Sequence, residues 1–152
     1  MYSYTDFGKT FTIDLKDIPN SAIQNKFYNS LSEIDNEIVE YYKTLITDDE
    51  IYFNLYIDSL QIGYSKIVNE HNYALLVEIY VIEEYQELGL GTFMLNTIRK
   101  YLNEKSIKLR TITLPGDRIA KNFYEANGIT ARVLLMEEKR DKSRNRSWRH
   151  SL

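Results

Sequence analysis

The sequence predicts an α/β domain of the α+β kind: a mixed central β-sheet of about six strands flanked by about four helices. Three observations lead there. Residues 10–15 and 51–57 alternate apolar and other side chains with the period of a strand, and residues 62–68 read as a further strand. Apolar residues at helical spacing fill the stretches between and after them. Residues 74–105 then run from a β-branched apolar stretch through a turn with two glycines into a helical pattern.

In residues 10–15, Phe11, Ile13 and Leu15 share one face of a first strand, whereas residues 1–9 are mixed and polar. Pro19-Asn20-Ser21 reads as a turn with Ser21 as N-cap. Ile23, Phe27 and Leu31, then Ile34, Ile38, Tyr42 and Leu45, predict two short helices or one broken near residues 30–32. Asp58-Ser59-Leu60 joins the next two strands as a hairpin. His71-Asn72 leads into a strand at residues 73–82. Strict alternation there sets Leu75, Val77, Ile79 and Val81 on one face and Leu76, Glu78, Tyr80 and Ile82 on the other. Both faces are mostly apolar, as in a central strand covered on both sides. Leu90, Met94, Ile98, Tyr101 and Leu102 form one stripe of the following helix. Residues 109–114 make a strand, and a helix between neighbouring strands implies a right-handed parallel crossover. Pro115-Gly116 breaks that strand, Asp117 caps a short helix and Gly128 ends it. Residues 129–138 read as the last strand.

The chain of 152 residues suits one domain, assigned to residues 1–138, with a separate tail at 139–152. Hydrophobic content of 43% and charged content of 27% are ordinary for a globular protein. Residues 1–9 have no basic-then-apolar pattern and no apolar run reaches membrane-spanning length, so a cytoplasmic chain with no membrane partner is expected. Cysteine is absent, which excludes disulfides, thiolate nucleophiles and zinc–thiolate sites. His71 and His150 are the only histidines, and no metal site is expected. The tail holds six basic residues and one acidic, a balance of +5, while residues 1–138 hold 13 basic and 21 acidic, a balance of −8. An acidic body favours cationic partners over nucleic acid, although acidic faces also serve solubility alone. The tail itself reads as loosely ordered. A homodimer stays open.

Within Gln86-Glu87-Leu88-Gly89-Leu90-Gly91-Thr92 the glycines let the backbone approach a ligand, and the helix beginning there adds unpaired N–H groups and a positive dipole end. That makes the turn a candidate pyrophosphate cradle. It is not a P-loop, which needs Gly-Lys-Ser/Thr after four spacers. It is not the dinucleotide fingerprint either, because Met94 stands where the third glycine would be. What it matches is Gln/Arg-x-x-Gly-x-Gly/Ala, five residues after Val81. Downstream, Ala120 to Gly128 fits Ala-x-x-x-Tyr-x-x-x-Gly. In these two motifs, residues 74–139 resemble the GNAT superfamily of acetyl-CoA-dependent N-acetyltransferases. The order β-α-α-β-β-β-α-β-α-β is similar to the arrangement of that superfamily.

The resemblance implies acetyl-CoA as co-substrate, an amine as acceptor, and direct acetyl transfer in a ternary complex. It implies pantetheine contacts along Ile79, Tyr80 and Val81, with an N–H near Val81 as oxyanion donor. It implies phosphate contacts along Gln86, Glu87, Leu88, Gly89, Leu90, Gly91 and Thr92, and further cofactor contacts at Asp117 and Phe123. Tyr124 falls at the general-acid position, where a phenol can protonate the departing thiolate. A packed helix tyrosine is the alternative in a chain with 13 tyrosines. Glu78, mid-strand on an apolar face, is the candidate general base, its pKa expected to rise by desolvation. A structural glutamate is the alternative. Glu83 replaces a common Pro, Glu87 and Leu88 replace small or basic residues, Asp117 replaces a common Asn, and Ile129 replaces a common Phe. Glu33, Asp35, Glu37, Glu40, Asp48, Asp49 and Glu50, with Tyr28, Tyr41 or Tyr42, suit a cationic acceptor or simply form a solvated face. Two other functions fit the residues. One is an acetyl-CoA-binding sensor with weak catalysis. The other is a nucleic-acid or ribosome-associated protein using Arg144, Arg146, Trp148 and Arg149.

Overall fold

The computed structural model describes residues 1–6, 8–15, 18–45 and 49–138; the tail at 139–152 lies outside the described residues. The elements are β1 (Tyr2–Asp6), β2 (Lys9–Asp14), α1 (Ser21–Ile34), α2 (Ile38–Thr44), β3 (Glu50–Ile57), β4 (Leu60–Asn69), β5 (Tyr73–Val81), a single 3-10 turn (Glu83–Tyr85), α3 (Leu90–Asn103), β6 (Lys108–Thr111) and α4 (Arg118–Ala126). The strands form one sheet in chain order. Neighbours from β1 to β5 are antiparallel, and β5 pairs with β6 in parallel across α3. This is the expected mixed sheet with four helices.

Membership of the sheet differs from expectation at both ends. β1 was not foreseen, because Tyr2 and Tyr4 alternate with Ser3 and Thr5 and the stretch reads as polar. Its anchor is tertiary: the Tyr4 ring stacks on Phe93 of α3 at 5.3 Å between centroids. At the other end residues 129–138 form no strand, and 130–138 are exposed. Local propensity is not enough there, since a strand needs a neighbour and none lies beside it among the described residues. Boundaries also shift: the strand expected at 109–114 ends at Thr111. Asn20, not Ser21, caps α1, its side chain accepting from the Ala22 N–H at 2.8 Å. The break between α1 and α2 falls at residues 35–37 rather than 30–32.

The sheet is covered on both sides. On one, Leu90, Met94, Leu95, Ile98 and Leu102 of α3 pack with Phe11, Ile13, Phe53, Leu55, Ile67 and Leu76, and Tyr124 of α4 joins them. On the other, Ile23, Phe27 and Leu31 of α1 and Val39 and Tyr42 of α2 pack with Tyr64. The strict alternation expected for β5 does not hold. Lys66 of β4 pairs with Glu78, but the next residue, Ile67, pairs with Leu76, so Val77 is an extra residue. The bulge reverses the phase of the strand. Leu76, Ile79 and Val81 therefore pack on the α3 side, and Tyr80 packs on the α1 side.

Candidate active site

The bulge is also where β5 parts from β6. The parallel ladder ends at Leu76 and Thr111, with the Thr111 hydroxyl donating to the Leu76 carbonyl at 3.0 Å. Beyond it, Ile79, Tyr80 and Val81 pair with Ser65, Tyr64 and Gly63 of β4 on one edge only. The Ile82 N–H donates to Ile62 O at 2.9 Å. Alternation along an antiparallel pair then turns the backbone groups of Tyr80 toward β4 and those of Ile79 and Val81 toward the vacated edge. Gln86 closes part of that edge, its amide donating to Val81 O at 2.8 Å. Gly63 keeps the two strands close: a Cβ there would lie 2.5 Å from Tyr80 O. Sequence reasoning passed over Gly63, although a glycine inside an apolar strand signals such an approach.

The turn after β5 is built from two left-handed residues, Glu87 at φ 65° and Gly89 at φ 78°. Gly89 is the N-cap of α3, and no side chain caps that end, so the N–H groups of the first helical turn lack a side-chain acceptor. Leu90 turns its side chain into the core and offers only backbone to a ligand. Gly91 admits the Phe123 ring, one carbon of which lies 3.3 Å from where a Cβ would stand. The two motifs of the sequence thus meet, with α4 packed on the start of α3. Gly89 and Thr92 also border a groove of about 660 Å³ between β1 and α3, lined by Tyr2, Tyr4, Phe93 and Lys100.

Glu78 is 1% exposed and fully engaged. Its Oε1 accepts from the Tyr64 hydroxyl at 2.7 Å and from Gln24 Nε2 at 3.1 Å, and its Oε2 accepts from the Tyr28 hydroxyl at 2.8 Å. The Lys66 ammonium lies 3.6 Å from Oε2 and 2.5 Å from Glu50. Burial alone would lower the Lys66 pKa, but the bond to Glu50 and the charge of Glu78 outweigh it and raise it. Burial, then Glu78, pushes the Tyr28 and Tyr64 phenols well above the ordinary tyrosine value. Sequence reasoning missed Gln24, Tyr64 and Lys66. The signal was there: a lysine inside an apolar strand needs a buried counter-charge.

Tyr124 is 5% exposed, on the α3 side. Burial pushes its phenol up to about 12, with a hydrogen bond to Thr111 pulling down and Asp117 pushing up. The phenol therefore sits beside the point where β5 and β6 separate, and it carries its proton at neutral pH. Asp117 caps α4, its Oδ1 accepting from the Ala120 N–H at 3.0 Å. Tyr42 is buried against Phe27, so it is a core residue rather than an acceptor contact. Lys43 lies over the Tyr28 ring at 5.4 Å. Tyr41, Glu33, Asp35, Glu37, Glu40 and Asp49 are exposed, and Asp48 lies outside the described residues. Among the described residues no group of three or more His, Cys, Asp or Glu is placed to hold a metal, and no helix is long and apolar enough to cross a membrane.

A sheet opened beside a glycine turn on a helix start defines an acyltransferase-like architecture, and the comparisons agree with it. Residues 33–128 match the acetyltransferase (GNAT) domain family. That span exceeds half of the chain, and the chain belongs to the GNAT acetyltransferases. No curated protein matches the sequence at a significant level. Among solved structures, a Pyrococcus furiosus protein classed as an acetyl transferase aligns at 21% identity and TM-score 0.70, over 85% of this chain and 99% of its own. Aminoglycoside N-acetyltransferase AAC(6')-Iy, solved with CoA, aligns at 16% identity and TM-score 0.58, over 90% of this chain and 99% of its own. A ribosomal-protein-alanine N-acetyltransferase from Brucella melitensis aligns at 14% identity and TM-score 0.60, over 85% and 96%. At these identities the likeness is one of fold.

Proposed function

We propose that the chain is an acetyl-CoA-dependent N-acetyltransferase that moves acetyl directly to a primary amine in a ternary complex. One observation carries the reading: the uncapped start of α3 at Gly89 stands next to the vacated edge of β5 at Ile79 and Val81. Acetyl-CoA supplies the thioester that an amine attacks. The N–H groups opening α3 suit its diphosphate. Ile79 and Val81 offer backbone to the pantetheine arm as a strand would, and the Val81 N–H is a donor for the carbonyl oxygen as charge grows on it. Tyr124 holds a proton for the departing sulfur. Glu78 takes the proton of the amine through water or through the half-buried Tyr28 hydroxyl, 2.8 Å from Oε2. Gln86 positions the turn against Val81.

For the acceptor, the exposed carboxylates Glu33, Asp35, Glu37 and Glu40 on the α1–α2 side favour a cationic amine, on a small molecule or on a peptide. The structural neighbours include enzymes of both kinds by name. A protein that draws on acetyl-CoA in this way belongs in the cytoplasm. A second reading, a cofactor-binding regulatory module with weak catalysis, draws on Glu87 and Asp117, whose carboxylates would face phosphate. The nucleic-acid alternative rests on Arg144, Arg146, Trp148 and Arg149, which lie outside the described residues.

Release of free CoA thiol should be followed with acetyl-CoA and a panel of aminoglycosides, polyamines and peptides with free amino groups. Turnover with at least one class is expected. Binding without turnover would favour the regulatory reading, and the absence of both would sink the proposal.

A further inference from the structure

The groove between β1 and α3 runs on from the turn that opens α3. Gly89 and Thr92 belong to both, and the groove continues along α3 past Phe93 and Asn96 to Lys100. These positions fall at helical spacing on one stripe of α3, turned away from the stripe of Met94, Ile98 and Leu102 that enters the core. From Gly89 to Lys100 the helix advances about 16 Å, at about 1.5 Å per residue. A volume of about 660 Å³ suits a bound small molecule. β1 supplies the facing wall with two rings. Tyr4 stacks on Phe93 at 5.3 Å, and the Lys100 ammonium lies 5.9 Å over the ring of Tyr2.

The groove differs in charge from the body around it. Residues 1–138 hold 13 basic and 21 acidic residues, yet among the described residues no carboxylate lines the groove and Lys100 does. Aromatic walls with a lysine at the far end suit a nucleobase joined to a phosphate. A lysine on a helix also reaches back toward the helix start, so its ammonium stands nearer the turn than its Cα does.

The cofactor proposed for the turn carries such a group beyond its diphosphate, because the adenosine of CoA bears a phosphate on its 3'-oxygen. Two flanks of α3 could take it. On the α4 flank the Phe123 ring lies 3.3 Å from where a Gly91 Cβ would stand, so that side is filled. On the β1 flank the groove is open. Resting on the acetyl-CoA reading above, we propose that the β1–α3 groove holds the adenosine 3'-phosphate end of acetyl-CoA, with Lys100 on the 3'-phosphate and the rings of Tyr2 and Tyr4 beside the adenine. The Lys100 ammonium then exchanges the face of Tyr2 for a phosphate, and the freed ring becomes a stacking surface for the base. The proposal also gives β1 a role beyond the sheet, as the second wall of the cofactor site.

Two ligands isolate the 3'-phosphate: acetyl-CoA and acetyl-3'-dephospho-CoA, which lacks only that group. Their dissociation constants are measured by calorimetry on the full chain and its variants. Lys100→Glu should weaken acetyl-CoA roughly 10- to 100-fold and the dephospho form less than about 3-fold. Lys108→Glu makes the same charge change on β6, outside the groove, and should alter neither. Asn96→Trp places a large ring in the groove from an exposed helix position and should weaken both ligands by about 10-fold or more. Lys100 and Asn96 are exposed, so the unliganded variants should melt with the unaltered chain. Unchanged acetyl-CoA affinity in Lys100→Glu would overturn the proposal. Equal loss of both ligands in that variant would do the same, since Lys100 would then act on something other than the 3'-phosphate. Full acetyl-CoA affinity in Asn96→Trp would put the adenosine elsewhere and overturn it too. An unaltered chain that binds neither ligand would defeat the acetyl-CoA reading and this proposal together. Tight binding that ignores the groove variants would defeat this proposal alone.

Discussion

Replacing Glu78 by glutamine tests the buried carboxylate both as a structural hub and as a base. An amide keeps one acceptor oxygen. Set toward Tyr64 and Gln24, it preserves the bonds of 2.7 and 3.1 Å and turns an NH2 group toward Tyr28 and Lys66. The Tyr28 hydroxyl can rotate to accept. Lys66 cannot: its ammonium loses the carboxylate at 3.6 Å and keeps Glu50 at 2.5 Å. Orphaning a buried charge costs about 3–5 kcal/mol, and one hydrogen bond to a charged group contributes about 1.5–3 kcal/mol. With one of two counter-ions retained, Glu78→Gln should cost about 2–3 kcal/mol. For a chain of this size that lowers Tm by roughly 5–10 °C. Denaturant titration at pH 7 should show the midpoint falling with the slope unchanged. Turnover should fall roughly 100- to 10,000-fold while acetyl-CoA affinity stays, because the turn and the edge of β5 are untouched. Adding Lys66→Met should recover part of the lost stability, since the unpaired ammonium is then gone. A stability change under about 0.5 kcal/mol would refute the coupling of Glu78 to Lys66. Unchanged turnover would remove Glu78 from proton transfer.

Tyr124→Phe keeps the ring and removes the proton donor. Turnover should fall roughly 100-fold or more with cofactor binding intact, while Tyr101→Phe, a ring packed edge-on against Phe53 at 5.5 Å, should change little. Equal loss of binding and turnover would make Tyr124 a binding contact instead. Acetyl-CoA at 100 times its dissociation constant should stabilise the chain by about 2.7 kcal/mol. Gly89→Asp should abolish that gain, because φ 78° disfavours a side chain and the carboxylate opposes phosphate. Stabilisation retained in the variant would move the phosphates away from this turn. Alkaline pH should also weaken the fold. Tyr28, Tyr42, Tyr64 and Tyr124 all have phenols raised by burial, Tyr124 to about 12. Below about pH 10 they are protonated in both states; above it the unfolded chain releases protons that the folded chain keeps, so stability falls as pH rises. Denaturant midpoints that stay level between about pH 9 and 11.5 would contradict the burial of these rings.

The parts of the fold legible in the sequence were those written in local pattern. The hairpin of β3 and β4, the strand–turn–helix from β5 into α3 and the capped α4 each carry their period and their punctuation in contiguous residues. The parts that were not legible depend on partners far along the chain. β1 pairs with β2 and is pinned by the Tyr4 stack on Phe93, some ninety residues away, while its own residues look polar. Residues 129–138 have the propensity of a strand, but pairing decides, and propensity does not name the partner. Tyr124 and the turn were located by motif. The donors around Glu78 were not, because Gln24 and Tyr28 lie on α1 and Tyr64 and Lys66 on β4, both remote in sequence from the two motifs.

The bulge at Val77 ties these outcomes together. Had β5 alternated without interruption, Glu78 would follow Leu76 onto the α3 side, among Met94, Leu95 and Ile98 and away from Lys66, Tyr28 and Tyr64. The extra residue carries it to the other side, opposite Lys66 and under Tyr28 and Tyr64. The same residue follows Leu76, the last member of β5 to pair with β6, so one insertion both exposes the backbone edge of Ile79 and Val81 and buries the carboxylate. Alternation cannot reveal a bulge, since Leu76, Val77 and Ile79 are all apolar and either phase satisfies the pattern. The cross-strand charges can. A lysine and a glutamate in two adjacent apolar strands must face each other to be buried at all, and with Glu78 set opposite Lys66, Leu76 can reach Ile67 only if Val77 is left unpaired.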